Sequence, residues 1–350
     1  MMTSRRKVGR SGLWATHAAW AVLVLFAAIV LFAEFLAPYD PASQVRATPS
    51  APVSSLNFRD DEGQFHPRPF IYEAELTDAL NITYTPVKSR IYPLGLLVAG
   101  EPYKLLGFIP AQIRLFGVIG AVDGAPRVHL LGTDSLGRDR FSRLLVAAQF
   151  SLIVTPLGAL LAFLIGVLVG LVSGYAGRTA DTTIMGVTDT VLALPTLILI
   201  LAARTAFPLD LPPLRAAMLL VMIFAFTGWA EIARLTRGLV RSIKEREFIL
   251  AARSIGLSES RILFRHILPN AAGPLLTQAT IMLPYFLLSE VALSFLGVGV
   301  QEPQPSLGNM LAVAADISQL QRSPLLLLSP AILIFLFVIA IRVAAARRAD

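Results

Sequence analysis

Cysteine is absent from this chain of 350 residues, which excludes a disulfide, a thiolate metal site and a cysteine nucleophile. Histidine is scarce. His17, His66, His129 and His266 are scattered, and none forms a metal-ligand pair at helical spacing. The chain also lacks a G-x-x-x-x-G-K-[ST] loop, an H-E-x-x-H helix and a G-x-S-x-G elbow. It therefore has no P-loop with which to hydrolyse ATP, and it is not expected to be an enzyme or to hold a cofactor. A membrane-embedded hydrolase would need a convergent nucleophile, base or metal set, and none is visible. No internal repeat stands out, which argues against a stand-alone carrier built from paired halves. Charge is thin as well: 15% of residues, against about 25% in soluble proteins.

What the chain has in abundance is apolar sequence, 55% of residues, with a mean hydropathy of +0.68. A bilayer core about 30 Å thick is crossed by about 20 helical residues, and six runs qualify. They are 18–36, which carries Glu34; a run within 144–177 without any charge; about 183–203, carrying Asp189; about 214–233; about 271–296, carrying Glu290; and 323–341. Pro195 and Pro284 would weaken soluble helices but are tolerated where neighbouring helices satisfy the backbone. The expectation is an all-α membrane protein with six transmembrane helices.

The net charge of +7 does not indicate nucleic acid, because the basic residues sit at the ends of the apolar runs. Arg5, Arg6, Lys7 and Arg10 precede the first run. Eight Lys and Arg residues from Arg234 to Arg265 separate the fourth from the fifth, and Arg342, Arg347 and Arg348 follow the sixth. With six crossings these segments fall on one side, assigned to the cytoplasm, and the opposite short loops hold only Arg204, Arg215 and Arg322. The first run is too long for a signal-peptide core and no small-x-small site follows Leu36, so an uncleaved anchor is expected. The organisation read from this is a cytoplasmic segment 1–17, a first span 18–36, an external insert 37–143 ending in an interfacial helix, a five-helix core 144–341 containing a cytoplasmic loop 234–270, and a tail 342–350. The insert carries acidic and basic residues in equal number between Asp40 and Arg143. Its runs Phe70–Tyr72 and Ile91–Val98 suit short strands or helices, and it reads either as a small cap or as a receptor-contacting domain.

The loop between the fourth and fifth runs is the most informative stretch. Ile243 to Ile255 reads as an amphipathic helix with Phe248, Ile249, Ala252 and Ile255 on one face and Lys244, Arg246 and Arg253 elsewhere. Gly256 suits a left-handed helix end, Ser258 a cap for a next helix over Glu259–Ile267, and Pro269 a bend into the fifth span. The pair Ala251-Ala252 permits close approach by a partner. A basic interfacial helix lying on anionic lipid is the plainer reading. Glu290 and Asp189 lie inside spans, where an ionised group is costly. Either they line a path, Glu290 as a contact for a substrate amine and Asp189 near an inner gate, or each pairs with an Arg or a helix end as interhelical glue. The second is the reading adopted. Glu231 and Arg234, three apart, read as a helix-surface pair. Asp134 or Asp139 is expected to cap a helix whose Arg140 and Arg143 snorkel at the outer interface.

The spacing Ala251-Ala252…Gly256…Leu268-Pro269 resembles the docking loop of binding-protein-dependent ATP-binding-cassette importer permeases, with Leu250 where a Glu is usual. Three further strings resemble the dipeptide, oligopeptide and nickel permeases of that family. One runs from His129 to Asp139 and continues through Ser142-Arg143 and Ser151-Leu152, with Ala147 for a Gly and Gln149 for an Arg. Another is Asp181…Asp189…Pro195, with Gly186 for an Arg. The last is Glu290 to Gly297, followed by Pro303, Pro305, Ser306, Leu307 and Gly308, with Leu307 for a Trp. Together they cover about residues 129–310; the insert matches poorly, and the family's charged C-terminal tail is not recognisable.

The resemblance implies a type I importer permease fold, of the second-permease type, and the subunit of an ATP-driven peptide importer; nickel or another small solute is the alternative. It implies a partner permease in a heterodimer, two cytoplasmic ATPase subunits that use the ATP, an external solute-binding protein, a peptide substrate and a bacterial cytoplasmic (inner) membrane. It assigns the docking role to Phe248, Ile249, Ala251, Ala252, Arg253 and Gly256, with Asp189, Glu290 and Ser294 as candidates for the path or its gate.

Overall fold

The computed structural model describes residues 10–120 and 125–346. The basic N-terminal residues Arg5, Arg6 and Lys7 and the terminal Arg347 and Arg348 lie outside them. The chain opens with helix α1, Arg10–Leu36, and then forms four strands: β1 Asn57–Arg59, β2 Phe65–Asp78, β3 Thr83–Leu105 and β4 Ile109–Val118. Helices follow: α2 Arg140–Tyr175, α3 Arg178–Ala193, α4 Thr196–Thr205, α5 Pro213–Lys244, α6 Glu247–Ser254 and α7 Glu259–Ile262. A π-helical turn, Leu263–Ile267, leads into α8, Leu268–Phe295. Beyond it come α9 Leu307–Ala312, a 3₁₀ turn, α10 Ile317–Arg322, α11 Pro324–Leu327 and α12 Ser329–Ala346.

The sheet corrects the all-α expectation. β1 to β4 form an antiparallel meander in chain order. Threonine, tyrosine, valine and isoleucine along β2 and β3 suit a pleated surface. At the β2–β3 turn the Asp78 carboxylate accepts the backbone N–H groups of Leu80 (2.9 Å) and Asn81 (3.2 Å), the side-chain-to-backbone pattern that favours Asp in turns. Ile71, Leu94, Val118 and Val128 make the insert's own apolar core, with Tyr39, Tyr92, Phe116 and Leu130 packed around it. Arg114, almost fully buried, donates to the carbonyls of Glu34 (2.6 Å) and Ala37 (2.9 Å), satisfying the C-terminal end of α1.

Among the described residues five helices are long and apolar enough to cross a membrane: Trp14–Leu36, α2, α5, the continuous helix Glu259–Phe295, and α12. The count reaches six if α3 and α4, bent by 85° at their junction, are one span. The expected single third span is therefore broken. Pro195 brings no N–H and disfavours the helical region for its neighbour, and Leu194 is extended at φ −89°, ψ 135°. The expected interfacial helix at the end of the insert is not separate: Arg140 and Arg143 are the opening turns of α2 itself. The last span starts at Ser329, later than expected, after two short helices.

Two compact units emerge, one from residues 1–24, 152–299 and 334–350, the other from residues 25–151 and 300–333. In the first, α5 packs against α3, α4 and α8, and against α2 through glycines. A Cβ on Gly166 would stand 2.5 Å from the Trp229 carbonyl, and one on Gly170 would stand 2.5 Å from that of Ala233. The bare backbones let the two helices approach as small-residue interfaces do in lipid. Phe224 and Phe286 stack at 4.8 Å between α5 and α8.

Candidate functional site

The loop expected to dock a partner is built as two short helices. α5 runs on to Lys244, so Ile243 is a buried residue of that span and not the start of an amphipathic helix. The chain turns at Glu245 and Arg246, and α6 has only eight residues. Its end is fixed by Gly256 at φ +84°. The Leu257 N–H donates to the Ala252 carbonyl (3.1 Å) and the Gly256 N–H to that of Arg253 (2.9 Å), the paired bonds of a Schellman ending. Ser258 occupies the N-cap of α7, but its hydroxyl makes no capping bond, contrary to expectation. Arg253 joins the two helices instead, donating from Nε and Nη2 to Glu259 at 2.6 and 3.1 Å. That carboxylate also holds the Arg253 guanidinium above its usual pKa. Pro269 does not break the helix. It sits in the first turn of α8, and the wider π turn just before it accommodates a residue that cannot donate to its i−4 carbonyl.

The shared apolar face of α6 needs correction. Ile249 and Ala252, one turn apart, are buried, at 0% and 6% exposure. Phe248, Leu250, Ala251, Ile255 and Gly256 are exposed, with Ile255 reaching 79%. A helix of two turns has room for one inward stripe: Phe248 lies about 100° around the helix from Ile249, and Ile255 has passed the helix end. Phe264, on the π turn, is exposed too, and His266 lies half-buried with its ring 6.4 Å from that of Phe248. The loop thus offers an apolar surface, a feature that normally marks an interaction site.

The acidic residues Asp189, Glu231 and Glu290 are each engaged. Asp189 accepts from Arg234 across α3 and α5, with both side chains more than half exposed. Glu231 does not pair with Arg234; it accepts from Gln278 at 2.8 Å. Glu290 is fully buried and accepts from the Ser294 hydroxyl one turn away at 2.8 Å. Ser294 is itself roofed by Gly299, where a Cβ would come within 2.1 Å of the hydroxyl oxygen. Glu290 and Ser294 are therefore both buried within the helices of this chain.

Three groups that carry much of the polar architecture were not singled out as sites. Arg204, assigned above to a loop, is fully buried at the end of α4 and donates to the carbonyls of Phe207, Pro208, Leu209 and Gly299 at 3.1–3.4 Å. Asp181 is buried and accepts from Ser173 (2.5 Å), Arg237 (2.7 Å) and Arg241 (2.6 Å). Lys244 lies 4.3 Å over the Tyr175 ring and donates to the Gly174 carbonyl at 3.1 Å. The signal for Asp181 was the i, i+4 pair Arg237 and Arg241, which puts two cations on one face of α5. In the second unit, Asp139 caps α2 by accepting from the Ser142 N–H at 2.8 Å and lies 2.9 Å from His129 Nδ1. Arg143 does not snorkel: it pairs with Glu302 at 2.8 Å.

Residues 166–348 match the family described as binding-protein-dependent transport system inner membrane component. The oligopeptide transport system permease protein OppC of Bacillus subtilis is 37% identical over 182 residues, 52% of this chain and 58% of that protein. The chain thus spans little more than half the length of that relative. The dipeptide transport system permease protein DppC of Alkalihalophilus pseudofirmus is 36% identical over 218 residues, 62% of this chain and 69% of that one. Among solved structures, an inward-facing form of the MetNI methionine ABC transporter aligns with 59% of this chain and 94% of its own at 20% identity, with a TM-score of 0.47.

Proposed function

This chain belongs to the family of binding-protein-dependent transport system inner membrane components, and from that premise we propose that it is the permease subunit of an ATP-driven peptide importer. The relatives named for oligopeptide and dipeptide transport support peptides over nickel or another small solute. In this reading the chain takes a type I importer permease fold and pairs with a second permease in a bacterial cytoplasmic (inner) membrane. It crosses six times, with α3 and α4 forming one bent span, and its termini and the loop 234–270 lie in the cytoplasm. The insert faces an external solute-binding protein. The chain holds no cofactor; two cytoplasmic ATPase subunits bind and use the ATP.

The observation that carries this reading is the uncovered apolar surface of Phe248, Leu250, Ala251 and Ile255 within an otherwise basic loop. An ATPase subunit that covers it gains apolar burial. When the two ATPases close, α6 is pushed as a unit because the Arg253–Glu259 clasp ties it to α7. From there one continuous helix, Glu259–Phe295, carries the displacement to Glu290 and the bundle. ATP and loaded receptor shift the bundle only through their differential affinity for its states, so both must favour the outward-open form.

Co-purification tests the reading. The chain, tagged and extracted in mild detergent with its partners expressed, should bring down nucleotide-binding subunits. If it does not, or if Ala251→Glu brings them down as well as the parent does, α6 is not the docking element and lipid is the surface it meets. Reporter fusions near residues 80 and 250 should land in opposite compartments.

A further inference from the structure

A small recess in the second unit, about 40 Å³ in volume, has polar walls of Asp134, Arg138, Arg140, Arg143 and Glu302 and an apolar wall that includes Val313 and Leu327. Three guanidinium groups face two carboxylates there, which leaves one positive charge in excess. Both carboxylates are committed. Asp134 accepts from Arg138 Nε at 2.7 Å and from the N–H groups of Leu136 and Arg138 at 2.9 Å. Glu302 accepts from Arg138 Nη1 at 2.5 Å and Arg143 Nη2 at 2.8 Å. Arg140 is the remainder. It is 8% exposed, and among the described residues its guanidinium makes no hydrogen bond or ion pair, Asp134 being the carboxylate whose charge still reaches it. A largely buried guanidinium with five donors is costly to hold unless an acceptor reaches it.

We propose that this recess is a binding site for one carboxylate group, with Arg140 as its ligand. A planar monovalent oxyanion matches the guanidinium fork and neutralises a single excess charge. A phosphate dianion would overshoot the charge. The apolar wall suits the carbon that bears the carboxylate, which a peptide's C-terminus or an acidic side chain supplies equally. The assignment is independent of the transport reading, because it rests on the charge count and burial alone.

The test uses ¹³C-acetate and the full chain in detergent, following acetate line broadening. The parent should bind acetate saturably, and Arg140→Gln should weaken binding by about tenfold or more. Arg46→Gln removes an exposed arginine outside the recess and should change nothing. Should Arg140→Gln fail to fold, Val313→Phe, which fills the recess, must abolish acetate binding instead. Competition identifies the source: displacement by peptides with a free but not an amidated C-terminus marks a terminal carboxylate. Displacement by an amidated glutamate peptide marks an acidic side chain, and either outcome supports the site. Absence of saturable acetate binding by the parent, equal affinity in Arg140→Gln, or inorganic phosphate binding as tightly as acetate would each overturn it.

Discussion

Ala251 and Ala252 are chemically identical neighbours, and the structure requires them to respond oppositely to the same substitution. Ala252 is 6% exposed and one turn from Ile249, itself fully buried, on the inward stripe of α6. A glutamate there places an unpaired carboxylate among apolar side chains. The loop must swing out or the group must neutralise, at a cost of about 3 kcal/mol or more. Ala252→Glu should therefore lower the unfolding midpoint and lose transport together. Ala251 is exposed. Glutamate costs a few tenths of a kcal/mol there in helix propensity, so the isolated chain should melt normally. A docked ATPase would bury that new charge against Phe248 and Leu250, weakening association by about 2–4 kcal/mol, or roughly 30- to 1000-fold. The assay reconstitutes each variant with its partner subunits in proteoliposomes. It measures the melting midpoint of the free chain, ATPase retention and peptide uptake. Ala251→Glu with normal stability, normal ATPase retention and normal uptake would refute the docking assignment.

The remaining predictions concern the bundle, each measured as thermal unfolding in one detergent. Gly170→Ala brings a Cβ to 2.5 Å from the Ala233 carbonyl, so α2 and α5 must separate by about 0.9 Å to restore an ordinary contact, at about 1–3 kcal/mol. Gly186→Ala, with nothing within 4 Å, should instead stabilise by up to about 1 kcal/mol through helix propensity. Asp181→Asn strips the shared carboxylate from Arg237 and Arg241 and should cost about 1–3 kcal/mol, discounted for the partial exposure of both arginines. Asp189→Asn breaks an exposed pair and should cost less than about 1 kcal/mol. Arg204→Lys replaces a fork reaching four carbonyls with a point donor and should destabilise by about 1–3 kcal/mol. An unchanged midpoint for Asp181→Asn would count against a buried charge hub.

Apolar run length located the long apolar helices because a bilayer imposes its requirement on composition alone, before any tertiary contact is formed. Proline did not translate as cleanly. Pro156, Pro274 and Pro284 sit within continuous helices, while Pro195 marks an 85° bend. All four remove the same donor, so the donor's loss alone does not decide between a continuous helix and a bend. The outcome depends on packing, which linear spacing does not contain. The sheet escaped a firm reading for a related reason. Pro67, Pro69, Pro86 and Pro93 interrupt β2 and β3, and a proline within a run argues against a regular strand. The strands tolerate them with register slips, one of them between Tyr72 and Glu73.

Charge pairing shows where sequence reasoning reaches its physical limit. Three-residue spacing put Glu231 beside Arg234, and on an isolated helix the two would meet. In the fold, α3 delivers Asp189 to Arg234 and α8 delivers Gln278 to Glu231, so each member finds a partner more than forty residues away. Helical spacing therefore establishes which groups share a face, and packing decides which group faces them. The same logic governs α6. The break at Glu245 and Arg246 frees that short helix from the phase of α5, so its inward stripe is set by contact with the loop and not by the long helix before it. Because the stripe takes only Ile249 and Ala252, the outward residues are left with apolar area that no other described residue buries. Under the proposed docking, a partner that presses on α6 would meet Phe248, Leu250 and Ala251, on a helix whose end is fixed by the Schellman bonds at Gly256.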